Sequence, residues 1–179
     1  GGWPTTFTDV ATGVDHLAKL DGVTPDNAVL LGHSAGGHLA AWAASRTTAT
    51  PGGAPQVRPR GTISLAGVLD LTAGQPQGLG GGVIEQLLGG TPAQQPEHYD
   101  RGDPVRLVPA AGPVACIHGT DDRTVPADQS TAYVAADTAA GGTASYDEVP
   151  GDHFAIIDPS QDAWTTTSKR FRSLARVDG

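Results

Sequence analysis

Apolar positions along the chain alternate between two patterns. Short uninterrupted runs occur at Ala28–Leu31, Thr62–Leu65 and Val114–His118, each bounded by turn residues, and each reads as a short strand buried on both faces. Between them the apolar residues fall at helical spacing. Val10, Val14, Leu17 and Leu20 predict a helix over Thr8–Leu20, with Thr6 or Thr8 as N-cap and Gly22 closing it. Leu39, Ala40, Trp42 and Ala43 predict a second helix ending near Ser45, Ile84–Leu88 a short one, and Ala127–Ala140 a longer one stopped by Gly141-Gly142. Ala144–Val149 alternates polar and apolar residues as an edge strand does, and Ser160–Ala175 predicts a final helix with Trp164, Phe171 and Leu174 on its inner face. Residues 47–59 and 72–82 read as loops, and Pro92–Pro109 as an excursion able to cover a pocket. Strands alternating with helices predict an α/β protein: a mainly parallel sheet with helices on both sides, a three-layer α/β/α sandwich.

The chain has 179 residues, enough for one core, so residues 1–179 are expected to form a single domain with 72–109 as a cap segment. A formal charge of −8, with no basic cluster, argues against a nucleic-acid partner. No apolar run reaches the length of a membrane span and Gly1-Gly2-Trp3-Pro4 does not read as a signal peptide, so the expected location is cytoplasmic, with secretion left open. The single cysteine, Cys116, lies inside a predicted strand and reads as a small core residue.

One apolar run leads into chemistry. Gly32-His33-Ser34-Ala35-Gly36 follows a predicted strand and opens a predicted helix, the context of a Gly-x-Ser-x-Gly nucleophile elbow. In a glycine-rich chain the motif alone is weak; the strand before it and the helix after it give it weight. Such a turn is tight enough that side chains at Gly32 or Gly36 are expected to clash, and it presents the Ser34 hydroxyl beside the helix N-terminus. The Ala35 N–H is then the candidate oxyanion donor.

A serine hydroxyl needs a histidine to take its proton and a carboxylate to orient that histidine. Loops after successive parallel strands carry Ser34, then Asp121 and Asp122, then His153, and ligand-facing groups sit at those strand ends. His153 is therefore the candidate base. Either Asp121 or Asp122 could serve as the acid, with Asp70 as a minor alternative. His33 and His38 flank the elbow and read as structural or pocket-lining, His118 as a packed strand end, and His16 and His98 as surface or rim residues. None falls at metal-ligand spacing with cysteines or carboxylates, so neither a metal nor a cofactor is expected.

Four segments carry a resemblance: Gly1-Gly2-Trp3-Pro4 with Asp9-Val10, Gly32–His38, His118-Gly119 through Val125-Pro126, and Gly151-Asp152-His153-Phe154 through Asp158-Pro159 with Trp164. Together they resemble the α/β-hydrolase superfamily, and within it bacterial esterases near the hormone-sensitive-lipase and arylformamidase groups. The resemblance implies a serine esterase acting on small or medium acyl esters through Ser34, Asp122 and His153, with arylformamidase or prolyl-oligopeptidase-like peptidase activity as alternatives. It favours Asp122 over Asp121, because the fifth position of the His118–Asp122 segment matches the family's acid. Trp3, His33 and Val125 stand as candidate substrate-binding residues. Relatives usually carry further strands before the Trp-Pro segment, including one whose His-Gly-Gly amides complete the oxyanion hole. From this the expectation is an N-terminally truncated fold with an exposed sheet edge at the elbow strand, covered in a homo-oligomer, or a non-catalytic binding module of the same fold.

Overall fold

The short apolar runs pair with one another. In a computed structural model that describes residues 1–176, strands β1 (Val29–His33), β2 (Gly61–Leu65), β3 (Val114–Gly119) and β4 (Ser145–Val149) form one sheet in the order β1-β2-β3-β4. Every pairing is parallel, with Val29 opposite Gly61, Thr62 opposite Val114 and Ala115 opposite Ser145.

Side chains of β2 and β3 alternate between two helical layers, as the two-residue period requires. Ile63, Leu65, Ala115 and Ile117 pack with Val149, Ile156 and Ala163 beneath helix α7 (Ala163–Ala175), with Trp164 and Leu174 against the same cluster. On the opposite face Val114 and Cys116 pack with Ala41 of α2 (Ala35–Ala44) and Tyr133 of α6 (Asp128–Ala139). Burial pushes the Cys116 thiol up to about 12, so it behaves as a small core side chain. Helix α1 (Thr5–His16) lies outside α2, its Phe7 and Ala11 packing on Trp42 and Ala43.

Four expectations need correction. The strand before the elbow is not buried on both faces: β1 is a sheet edge, its residues are half-buried, and Leu31 is 44% exposed. Helix α1 starts earlier than Thr8 and takes no threonine cap, because Thr8 and Thr12 turn their hydroxyls back onto the carbonyls of Pro4 and Thr8 and so sit inside the helix. At the other end of the chain, Ser160 is engaged by the Asp158 carboxylate in a turn, so α7 begins at Ala163, and Phe171 is 42% exposed instead of facing inward. Two stretches read without a helix carry one: α3 (Leu71–Gly74) runs into the 72–82 loop and α5 (Pro96–Gly102) lies in the 92–109 excursion, while the short helix expected at Ile84–Leu88 is α4 (Val83–Leu88).

What seats these short helices is a pair of side-chain hydrogen bonds from α2. The last carbonyls of a helix have no partner within it. On α5 two of them are met by the elbow helix, where His38 Nε2 bonds to the Gly102 carbonyl at 2.9 Å and Trp42 Nε1 to the Arg101 carbonyl at 2.9 Å. His38 and Trp42 are four residues apart, hence on one face of α2. Asp103, fully buried, then accepts from Leu71 N, Thr72 N and Thr72 Oγ1, fixing α3 to the end of α5.

A carbonyl can only accept, so His38 carries its proton on Nε2. Burial, opposed by that carbonyl, lowers its pKa from 6.5 to about 4. The neutral ring thus favours the folded state fully above pH 6.5, and the contribution is lost as pH falls toward 4, a loss of about 3 kcal/mol. Urea unfolding at pH 7 and pH 4 should show wild type losing about 3 kcal/mol more than His38→Gln, which keeps the donor but cannot titrate. Equal losses would contradict this account of α5 docking.

Candidate active site

At the carboxyl end of β1 the backbone turns sharply into α2. Ser34 sits at φ 55°, ψ −120°, a strained positive-φ conformation that non-glycine residues seldom adopt. The turn is held because Ser34 N donates to the Leu65 carbonyl of β2 at 2.8 Å while His38 N donates to the Ser34 carbonyl at 3.1 Å. The two glycines expected to be obligatory differ. A Cβ on Gly32 would lie 2.0 Å from the Gly36 carbonyl oxygen, whereas one on Gly36 would meet nothing within 4 Å. The second crowded position is Gly37, where a Cβ would sit 2.8 Å from Ser64 Oγ and 2.9 Å from Gly67 Cα. The motif's second glycine is therefore free of steric need, and the following one carries it.

The acid and the histidine meet. Asp122 Oδ2 accepts from His153 Nδ1 at 2.7 Å, with both side chains almost wholly buried. Its Oδ1 accepts from Thr124 N at 2.8 Å and Val125 N at 2.9 Å. Burial would raise the Asp122 carboxyl, but those amides together with His153 outweigh it and hold the group below the usual carboxylate range. Because an ionised carboxylate only accepts, His153 bears its proton on Nδ1 and leaves Nε2 as the basic nitrogen. Among the described residues, Ser34 Oγ makes no hydrogen bond to His153. Such contacts are often long before substrate binds.

Neither alternative acid reaches His153. Asp121 is exposed and engages through its backbone, N–H to the Gly151 carbonyl at 3.0 Å, while Asp70 caps α3 through Ala73 N at 2.8 Å. His118 is packed at the end of β3, bonding to Ser130 Oγ and to the Val125 carbonyl at 2.9 Å each, and its Nε2 also lies 3.4 Å from Asp122 Oδ2.

Ser34 and Ala35 open into a cavity of about 240 Å³ walled by Leu39, Val68, Leu71, Val83, Ile84 and Leu87. Thr124 and Val125, the residues whose amides hold Asp122, complete its rim. Residues 71–87 supply four of these six wall residues, and the 92–109 excursion expected to cover a pocket supplies none. Of the candidate substrate-binding residues, Val125 lines the cavity. Trp3 instead stacks on His98 at 4.5 Å and packs edge-on to Phe7, and His33 bonds to the carbonyl of His153. The expected cap segment 72–109 reaches the cavity through Leu79, Val83, Ile84 and Leu87, whereas nothing in the apolar pattern marked Leu39, Val68 or Leu71 as wall residues.

A family model, BD-FAE, matches residues 2–136, most of the chain. The chain belongs to the BD-FAE family of α/β-hydrolases. No curated protein matches it. Among solved structures, a truncated carbohydrate esterase from gut microbiota is similar with a TM-score of 0.76 at 19% identity, over 99% of this chain and 70% of that one. An acetyl ester-xyloside bifunctional hydrolase from Caldicellulosiruptor lactoaceticus gives 0.73 at 20%, over 100% and 69%. The acylaminoacyl peptidase of Pyrococcus horikoshii gives 0.75 at 18%, over 95% of this chain and 27% of that one. These likenesses place the BD-FAE chain in the α/β-hydrolase fold. As in the sequence-based expectation, it is a parallel sheet between helical layers. No helix among the described residues is long and apolar enough to cross a membrane.

The steric difference between the two glycines is directly measurable. Gly36→Ala should leave thermal stability unchanged or raise it by up to about 1 kcal/mol, since alanine is the better helix former. Gly37→Ala should cost about 1–3 kcal/mol through overpacking against Ser64 and Gly67. The reverse order in thermal denaturation would contradict the geometry.

Proposed function

We propose that the chain carries the catalytic centre of a serine carboxylic-ester hydrolase acting on small or medium acyl esters. The observation that carries this reading is the placement of Ser34: strained at positive φ, at the start of α2, and open to an apolar cavity. The Asp122–His153 hydrogen bond supports it.

In this reading His153 Nε2 takes the Ser34 proton as Oγ attacks the ester carbonyl. Ala35 N–H, an amide of the first turn of α2 with no partner inside the helix, receives the oxyanion. Asp122 keeps the ring in the Nδ1–H tautomer and stabilises the imidazolium. His153 then protonates the departing alcohol, leaving an acyl-serine. It next draws a proton from the attacking water and returns it to Ser34 Oγ as the acyl C–O bond breaks, which frees the acid and restores the serine hydroxyl and neutral His153. The acyl chain lies along Leu39, Val83 and Leu87, where burying each methylene contributes about 0.8 kcal/mol. The cavity presents hydrocarbon and a neutral His38, and that favours an uncharged acyl group.

The test is hydrolysis of p-nitrophenyl acetate, butyrate and hexanoate. Ser34→Ala should abolish turnover. Asp122→Asn should lower kcat by roughly 10⁴-fold with little change in KM, because an amide no longer selects the required tautomer. Turnover that survives Ser34→Ala in folded protein would overturn the proposal.

A further inference from the structure

The groups proposed to react stand at opposite edges of the sheet. Ser34 follows β1 and His153 follows β4, with β2 and β3 between, a separation of three strand spacings or about 14 Å at the sheet. No ladder hydrogen bond joins those two edges. The loop carrying His153 is tied on the β3 side, where Thr120 N donates to the Val149 carbonyl at 2.9 Å, Asp121 N to the Gly151 carbonyl at 3.0 Å, and His153 Nδ1 to Asp122. Toward the elbow one bond does the corresponding task. His33 Nε2 lies 2.8 Å from the carbonyl oxygen of His153, and among the described residues it is the only hydrogen bond between 32–38 and 150–158.

Its chemistry is unambiguous, since the carbonyl accepts and His33 must donate from Nε2. His33 is covalently next to Ser34, and its ring lies 4.5 Å from the His153 ring, tilted by 48°. The side chain therefore spans from the nucleophile's own backbone to the backbone of the base.

We infer that His33 is a positioning residue: through its hydrogen bond to the His153 carbonyl it sets how closely the His153 ring approaches Ser34. The inference rests on the proposed roles of Ser34 and His153. Asp122 fixes the ring's tautomer and rotation from the β3 side, and His33 fixes the loop's distance from β1. With the donor gone, the loop keeps its β3 anchors and its internal turn, in which Asp152 Oδ1 accepts from Phe154 N and Ala155 N. It then loses its tie to the elbow alone.

Two substitutions separate donor from ring. His33→Phe keeps an aromatic ring beside His153 and removes the donor, while His33→Gln places an amide N–H where Nε2 stood. On p-nitrophenyl butyrate, His33→Phe should lower kcat by roughly 10- to 100-fold with KM within twofold, the cost of a misplaced base, and His33→Gln should recover most of that loss. The downfield proton NMR resonance of His153 Nδ1–H gives a readout that needs no turnover. It should shift or broaden in His33→Phe and return in His33→Gln. Should His33→Phe not fold, His33→Leu takes its place in both assays. A kcat within twofold of wild type in the donorless variant, a Gln variant as slow as Phe, or an unmoved resonance would overturn the assignment. A wild type that hydrolyses no ester would count against the proposed activity, and the resonance would still decide the role of His33.

Discussion

The structure depends on one steric constraint, the contact of β1 with the first turn of α2. A strand and a helix pass so close at residues 32–37 that a single Cβ at Gly32 would lie inside the Gly36 carbonyl. That closeness drives Ser34 into a positive-φ conformation costing about 1–3 kcal/mol, offset by the Ser34 N–H to Leu65 bond and by the burial of α2 against the sheet. In return the serine hydroxyl and the free amides of the helix start face the same space.

Everything else in the site is fastened to that turn. Helix α2 holds α5 through His38 and Trp42, and the start of α3, whose Leu71 walls the cavity, is anchored in turn by Asp103. On the far side, the turn that surrounds Asp122 with amides also puts Thr124 and Val125 into the cavity rim. Orientation of the acid and shape of the cavity are thus properties of one turn. A substitution that loosens it should disturb both together.

Much of this was legible in the residues, for physical reasons that differ from place to place. Uninterrupted apolar runs marked β2 and β3 because strands covered on both faces have no polar face to show. The same rule overstated burial at β1, where Leu31 is as apolar as a buried residue yet lies on a sheet edge; that edge was expected from the family resemblance, because an apolar pattern does not say whether a neighbour is present. Chain order singled out Ser34, the Asp121-Asp122 loop and His153, because parallel topology sends every such loop to one end of the sheet, while the preference for Asp122 came from the family resemblance. Within 72–109 the helix at Ile84–Leu88 was legible, but α3 and α5 were obscure, since they are too short for periodicity to show and are held by tertiary bonds from His38, Trp42 and Asp103. The exchange of importance between Gly36 and Gly37 was invisible, because it depends on Ser64 and Gly67 from another strand and its loop. So too the bond from His33 to the His153 carbonyl joins residues 120 apart in sequence.

The central claim is that Ser34 is a nucleophile made reactive by its turn and by His153. The most direct measurement is mass spectrometry of the protein after exposure to a fluorophosphonate, which loses fluoride on attack by an activated serine and leaves a covalent adduct. The account predicts a single adduct on the peptide spanning Ser34, absent after His153→Ala. A folded protein that takes up no adduct, or takes it up elsewhere, would contradict it.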